Sequence, residues 1–339
     1  MKSPFASKNK PIRVGIVAPS AKVSGVELSL GLEKIKAEGL IATVHPQCKK
    51  SNRFFAGTDA ERADAFVEMA LDPKISVIWL ARGGYGVART LPLIAEKIGT
   101  RKPPSKLLIG YSDATALHEY VGQKWGWSSV YAPMPGVREF LSIDLREWWT
   151  LVSWIKKIRS KEPWKELKFV RKPKRAVVAP LVGGNLTCFT SMIGTPYQMS
   201  AKGKIIFFEE VDEALYRIDR MIEQIKQSGA LRGAMAIVLG NFLACTDRVG
   251  NVLRKKPENL ARVISPRKGD LVPLRPLLPA EKTIHKMFGE LGKNLGIPVG
   301  YGLPSGHGPG HAPLPLGAKY RLTPQGEFKL VSWEWFDSP

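Results

Sequence analysis

The sequence predicts an α/β protein whose first half forms a parallel sheet with helices on both faces. Three observations carry that reading. Short apolar runs rich in β-branched residues alternate with helix-period segments from Ile12 to beyond Gly110. A basic, proline-containing stretch, Lys161–Arg175, then interrupts the pattern, and after it the texture changes to short strands and loops. At 339 residues the chain also exceeds the size at which one core keeps growing, which favours two domains with a cleft between them. The expected division is residues 1–160, a linker over 161–175, and residues 176–339.

Taken in order, Ile12–Ala18 (IRVGIVA) reads as the first strand, Pro19-Ser20 as its loop and Val26–Glu38 as a helix. Strand Ile41–His45 follows Gly39, and Thr58-Asp59 is a start signal for a helix to about Leu71 that Pro73 closes. Next come strand Ser76–Ala81, the glycine loop Arg82–Gly86, a helix to about Ile98 and strand Lys106–Gly110. Open sheets of this Rossmann or flavodoxin-like kind bind ligands beyond the carboxyl ends of their strands. Arg82–Gly86 and Tyr111–Asp113 both fall there. No GxGxxG follows the first strand, where Gly15 stands alone, so a dinucleotide site is disfavoured.

Beyond the linker, strand Ala176–Leu181 runs to a turn at Gly183-Gly184-Asn185, and strand Lys204–Phe208 precedes a helix from Ala214 to about Gln227. That helix places Leu215, Ile218, Ile222 and Ile225 on one face, and Gly229 ends it. Strands Ala236–Gly240, Ile297–Gly300 and Lys319–Leu322 complete the pattern, with a glycine- and proline-rich loop between the last two.

Composition excludes several classes. The opening MKSPFASKNKP has no apolar core, and no apolar run approaches the length of a membrane span, so neither export nor anchoring is expected. Cys48, Cys188 and Cys245 are far apart and odd in number, against a disulfide framework or structural zinc, and a reducing cytoplasm suits them. No HExxH or paired-histidine spacing occurs, so neither a metal nor any other cofactor is expected. The net charge of +21 is the outlier. Its basic residues are densest between Lys156 and Arg175, with a smaller group at Arg254, Lys255 and Lys256. With only Trp164 and Phe169 interleaved and no recognisable motif, nucleic-acid binding is not expected.

Four stretches have the residue types for chemistry. In KLLIGYSDATALH (106–118) a hydrophobic strand runs into Gly110-Tyr111-Ser112-Asp113-Ala114 and then a helix. Small residues flank the serine at two positions before and two after, the setting of a nucleophile elbow, although Ser112 or Asp113 also suits a helix N-cap. Ala114 replaces the second glycine of that motif. In Arg82-Gly83-Gly84-Tyr85-Gly86 the adjacent glycines let a backbone approach a ligand and present N–H groups, as an oxyanion donor must. In KIIFFEEVDEALYRIDR (204–220) a strand ends in Glu209-Glu210, either of which can orient a histidine. Two of only five histidines, His307 and His311, lie on the loop LPSGHGPGHAP, where an imidazole can serve as general base and then acid. His45, His118 and His285 fit structural roles better.

Together, VGIVAPS, Phe55-Ala56-Gly57-Thr58-Asp59, ARGGYG, GYSDATALH, GGNL, FFEEVDEALYRIDR and GHGPGH followed by LPLG resemble the serine LD-carboxypeptidases, or muramoyltetrapeptide carboxypeptidases. The motifs stand in family order over roughly residues 12 to 322. The resemblance implies Ser112 as nucleophile, Glu209 as the acid and His307 as the base. It also implies an N-terminal parallel-sheet domain, a smaller β-rich C-terminal domain, a cytoplasmic location and a homodimer. Two departures stand out: Tyr131-Ala132-Pro133 where the family often has His-Gly-Pro, and Glu210 where aspartate is common.

The expected reaction is acyl transfer, with backbone N–H groups of Asp113 and of Gly83 or Gly84 holding the oxyanion. The expected substrate is a murein tetrapeptide or its UDP-linked precursor, losing its terminal D-alanine. Arg82 and Arg217 are the candidates to bind the terminal carboxylate. The competing readings are an immunity-type hydrolase of peptidyl or aminoacyl nucleotides using the same triad, and a noncatalytic binder of wall fragments or nucleic acid.

Overall fold

The computed structural model describes residues 11–246, 280–308 and 310–338. Its first part alternates strand and helix: β1 (Arg13–Val17), α1 (Gly25–Ala37), β2 (Ile41–Val44), α2 (Asp59–Leu71), β3 (Val77–Leu80), α3 (Val87–Ile98), β4 (Leu107–Gly110), α4 (Thr115–Trp125) and β5 (Ser128–Tyr131). Two helices follow, α5 (Arg138–Leu141) and α6 (Leu145–Ile155). The second part comprises β6 (Lys168–Arg171), β7 (Val177–Asn185), α7 (Leu186–Ser191), β8 (Ile205–Val211), α8 (Leu215–Ser228) and β9 (Ala236–Leu243). It continues with α9 (Ala280–Leu295), β10 (Val299–Tyr301), β11 (Leu314–Leu316), β12 (Lys319–Leu322), β13 (Phe328–Ser332) and α10 (Glu334–Asp337).

The first sheet has the order β11-β5-β4-β3-β1-β2. Its strands β1 to β5 are parallel and run in the flavodoxin-like sequence 2-1-3-4-5, so the chain reverses direction across the sheet between β1 and β3. The start signal at Thr58 is a full capping box: Glu61 N–H donates to Thr58 Oγ1, and Thr58 N–H donates to Glu61 Oε2.

The second sheet has the order β13-β12-β7-β8-β9-β10-β6. Its four central strands, β7 to β10, are parallel, while β12, β13 and β6 join antiparallel. The expected turn at Gly183-Gly184-Asn185 is instead the end of β7, paired with β8. A side chain on Gly183 would stand 2.0 Å from the Phe207 carbonyl oxygen, so glycine serves close strand approach here.

Four strands, β5, β6, β11 and β13, lie where the sequence pattern shows none. The stretch 161–175 contains β6, an edge strand on β10 whose Lys168 is exposed. Charge on such an edge discourages pairing with another chain, a physical role for part of the basic stretch. β11 leaves the second half to close the edge of the first sheet beside β5, and its Pro315 is tolerated because that position is an edge. The basic group Arg254, Lys255 and Lys256 lies outside the described residues.

Strand alternation in β8 fixes which side chains face the cleft. Ile205 and Phe207 belong to the core shared with the first sheet, whereas Ile206 and Phe208 face α8 and α9 on the other side. Among the described residues, no helix is long and apolar enough to cross a membrane.

Candidate active site

Strand β4 ends at Gly110, and Ser112 takes a backbone φ of +61°, in the left-handed region that costs a non-glycine residue about 1–3 kcal/mol. Two hydrogen bonds hold the bend. Ser112 N–H donates to Tyr131 Oη at 2.9 Å, and Thr115 Oγ1 donates to the Ser112 carbonyl at 2.7 Å. The sharp turn leads directly into α4, the strand–turn–helix setting of a nucleophile elbow.

Asp113 has a second task that sequence reasoning missed. Its buried Oδ2 accepts from Ser20 Oγ at 2.6 Å and from Val87 N–H at 2.8 Å, joining the β1 loop and the start of α3 to the elbow. Burial pushes its pKa up to about 6, against the pull of those bonds.

The two candidate oxyanion glycines separate. A side chain on Gly83 would stand 3.1 Å from Ser112 Cβ and 3.3 Å from its Oγ, whereas one on Gly84 would meet Ala21 Cβ at 2.9 Å. Gly83 therefore adjoins the serine, and Gly84 backs onto the β1 loop. Arg82, on the same loop, donates from Nη1 to the Lys22 carbonyl at 3.2 Å. Arg217 bonds Tyr216 Oη at 3.1 Å and pairs with Glu213 at 3.4 Å, both near it in sequence. Among the described residues, no hydrogen bond or ion pair links it to Ser112, Glu209 or His307.

Alternation places Glu209 on the cleft face of β8, fully buried, and Glu210 on the opposite face. Glu209 Oε2 accepts from His307 Nδ1–H at 2.7 Å and from His307 N–H at 2.9 Å. Its Oε1 accepts from Tyr131 Oη at 2.7 Å and Asn185 Nδ2 at 3.3 Å. Glu210 instead accepts from Thr187 N–H, Thr187 Oγ1 and Asn185 Nδ2, bracing the start of α7.

Burial alone would raise the Glu209 carboxyl and lower the His307 imidazole. Their mutual attraction and hydrogen bonds outweigh it, so the carboxyl lies below its usual range and the imidazole above. With Nδ1–H committed to the carboxylate, neutral His307 presents Nε2 as a base. His307 packs against Tyr111, the residue preceding the serine, with ring centroids 4.8 Å apart. No hydrogen bond joins Ser112 to His307 among the described residues. Such contacts often tighten only with substrate.

Gly306 explains how the His307 loop reaches Glu209. Its φ is +110°, and a side chain there would lie 2.6 Å from Glu209 Cβ. Only glycine lets the loop approach that closely.

The other histidines are differently placed. His311 is buried, its backbone N–H donates to Glu147 Oε2 at 3.2 Å, and burial pushes its pKa down to about 3. His118 Nε2 bonds the Gly110 carbonyl at 3.0 Å and braces the end of β4. A cavity of about 350 Å³ opens beside His307, lined by Asn241, Leu243, His285, Tyr301 and Leu303. Among the described residues, no three His, Cys, Asp or Glu side chains converge as metal ligands do.

Sequence reasoning also missed Tyr131 and Asn185 as parts of the site. Asn185 N–H also donates to Thr115 Oγ1 of α4 at 2.9 Å. In the sequence Tyr131 stands out only as a departure from a family pattern, and Asn185 only as a turn residue and as part of the GGNL match.

Residues 14–132 match the LD-carboxypeptidase N-terminal domain and residues 178–322 the LD-carboxypeptidase C-terminal domain. A probable murein peptide carboxypeptidase of Bacillus subtilis (strain 168) is 31% identical over 265 residues, 76% of this chain and 79% of that protein. The crystal structure of muramoyltetrapeptide carboxypeptidase from Oxalobacter formigenes is 26% identical, with a TM-score of 0.69 and coverage of 93% of this chain and 97% of that one. The microcin C7 self-immunity protein of Escherichia coli is 26% identical over 256 residues, 66% of this chain and 72% of that protein.

Proposed function

Because the chain belongs to the LD-carboxypeptidase family, and is a serine-type carboxypeptidase hydrolase, we propose that it removes the terminal D-alanine from murein tetrapeptides through Ser112, His307 and Glu209. The observation that carries the assignment is the Glu209–His307 pair, built from the second sheet and its following loop yet hydrogen-bonded through Tyr131 to the backbone of Ser112.

In the proposed reaction, His307 Nε2 takes the Ser112 proton as Oγ attacks the carbonyl carbon of the penultimate residue. Backbone N–H groups of Asp113 and Gly83 receive the oxyanion, since Gly83 is the glycine beside the serine. Collapse breaks the C–N bond, and D-alanine leaves with the proton held on His307. Water, deprotonated by the same imidazole, then hydrolyses the acyl-serine and regenerates the hydroxyl. Glu209 stabilises the imidazolium in both halves. Arg82, on the loop carrying Gly83, is the better placed of the two arginines to meet the terminal carboxylate.

The wider role that follows is cell-wall recycling in the cytoplasm by a homodimer, acting on free tetrapeptide or its UDP-linked precursor. The test is D-alanine release from purified UDP-MurNAc-tetrapeptide, followed by mass spectrometry. Wild type should release one alanine and Ser112→Ala none; equal release by both would remove Ser112 as nucleophile. The likeness to the microcin C7 self-immunity protein supports a second reading, hydrolysis of a peptidyl or aminoacyl nucleotide by the same triad. Cleavage of an aminoacyl nucleotide with no action on the tetrapeptide would favour it.

A further inference from the structure

We infer that Tyr131 is a positioning residue of this site, its hydroxyl tying the nucleophile's backbone on the first sheet to the triad carboxylate on the second. The inference rests on the triad assignment above and concerns how that triad is held.

The direction of each hydrogen bond follows from elementary donor and acceptor counting. The Ser112 backbone N–H can only donate, so the Tyr131 oxygen accepts it, at 2.9 Å. An ionised Glu209 can only accept, so the phenolic proton must point to its Oε1, at 2.7 Å. The hydroxyl thus has one orientation, and reversing either bond leaves two donors or two acceptors facing each other.

The ring cannot easily move away from that task. Tyr131 ends β5, in register with Gly110 on one side and Leu314 on the other. Its ring is fully buried, with Tyr111 edge-on at 6.1 Å and Phe207 edge-on at 5.4 Å between centroids. Because Phe207 and Glu209 share the cleft face of β8, the same strand that packs the ring also presents the carboxylate to its hydroxyl.

Two consequences follow. The Ser112 N–H is occupied, so it holds the left-handed bend of the elbow and does not serve the oxyanion. The phenolic proton also disperses charge on Oε1 while Oε2 holds His307. Without it, the carboxylate would draw the imidazolium more strongly and shift the protonation of His307 to higher pH. A ring that merely filled space would have neither effect.

The test compares wild type with Tyr131→Phe in the rate of Ser112 phosphonylation by a small fluorophosphonate across pH, with thermal melts as a folding check. The removed hydroxyl should slow the reaction about ten- to a hundredfold, and the acid limb of the rate profile should move to higher pH. Should Tyr131→Phe not fold, 3-fluorotyrosine at position 131 replaces it as a stronger donor, and should move the limb to lower pH. A limb unmoved in the folded variant, whether or not the rate falls, would reduce Tyr131 to packing and overturn the inference; so would an unmoved limb with fluorotyrosine. Failure of wild type to label at Ser112 would sink the triad and this inference together. Labelling without D-alanine release would sink only the choice of substrate and leave the Tyr131 comparison intact.

Discussion

Replacing Glu209 by glutamine changes one oxygen and one charge, and the structure sets how much that should cost. Four donors converge on the carboxylate: His307 Nδ1–H and N–H at Oε2, and Tyr131 Oη–H and Asn185 Nδ2–H at Oε1. An amide has a single oxygen. Turned toward His307, it leaves its NH₂ against the tyrosine and asparagine donors; turned away, it sets NH₂ against the imidazole and favours the tautomer with the proton on Nε2, which cannot act as base. Turned toward His307 it strands two buried donors, and turned away it strands the His307 N–H, at about 1–3 kcal/mol each, so about 1–6 kcal/mol of stability is expected to go. On the proposed mechanism the kinetic loss is larger in kind, because the imidazolium formed during acylation loses its counter-charge in a site where Glu209 is fully buried. An acid-to-amide change in a serine triad typically lowers kcat about 10⁴-fold, or about 5.4 kcal/mol of barrier at 1.36 kcal/mol per decade. The assay is kcat for D-alanine release from the tetrapeptide, paired with urea melts on the same preparations. Glu210→Gln is the matched control: it faces α7 and should lose stability while keeping kcat within about tenfold. Retention of more than a tenth of wild-type kcat by a folded Glu209→Gln would refute the assignment of Glu209 as the triad acid.

Three further outcomes are expected. Since Glu209 raises the pKa of His307 and the proposed base must be neutral, kcat/KM should climb with pH along a limb centred above about 6.5; a limb below that value would mean that burial, not the carboxylate, governs the imidazole. Gly306→Ala combines a φ of +110° with a clash at 2.6 Å against Glu209, so it should lower kcat by about a hundredfold or more while leaving the folded core intact, as read by kinetics and near-UV circular dichroism. Asp113→Asn retains an oxygen for Ser20 and Val87 and should fold. The wild-type carboxyl, raised to about 6, contributes stability that is complete below its unfolded value of about 3.9 and lost as pH rises through about 6. Urea melts between those pH values should therefore show a smaller decline for Asp113→Asn than for wild type, and equal slopes would place the charge elsewhere.

What the sequence discloses of this fold depends on how local each determinant is. The alternation that builds β1 to β4 is legible because each strand and helix announces itself within a few residues, as the Thr58–Glu61 capping box does. Ser112 is legible for the same reason: the strand, the small flanking residues and the helix lie within one stretch. Elements whose partners lie far away are not. Leu314–Leu316 carries a proline and reads as loop, yet becomes a strand by closing an edge against β5. Gly183 reads as a turn, yet its missing side chain serves the backbone of Phe207 on the next strand. The site repeats this division. The acidic pair is visible, but choosing Glu209 over Glu210 from physical reasoning requires knowing which face of β8 meets the first sheet, and Ile205 and Phe207 tell that only once the two sheets are packed. Tyr131 is the extreme case: it bonds a residue 19 positions earlier and another 78 later, so no window along the chain contains its role. The proposed triad, divided between two sheets, needs such cross-ties, because local sequence can shape each half but only packing can hold the halves together. In this protein the residues least legible in the sequence are therefore the ones that join the halves, and they are where substitution should disturb kcat with the least change in either half alone.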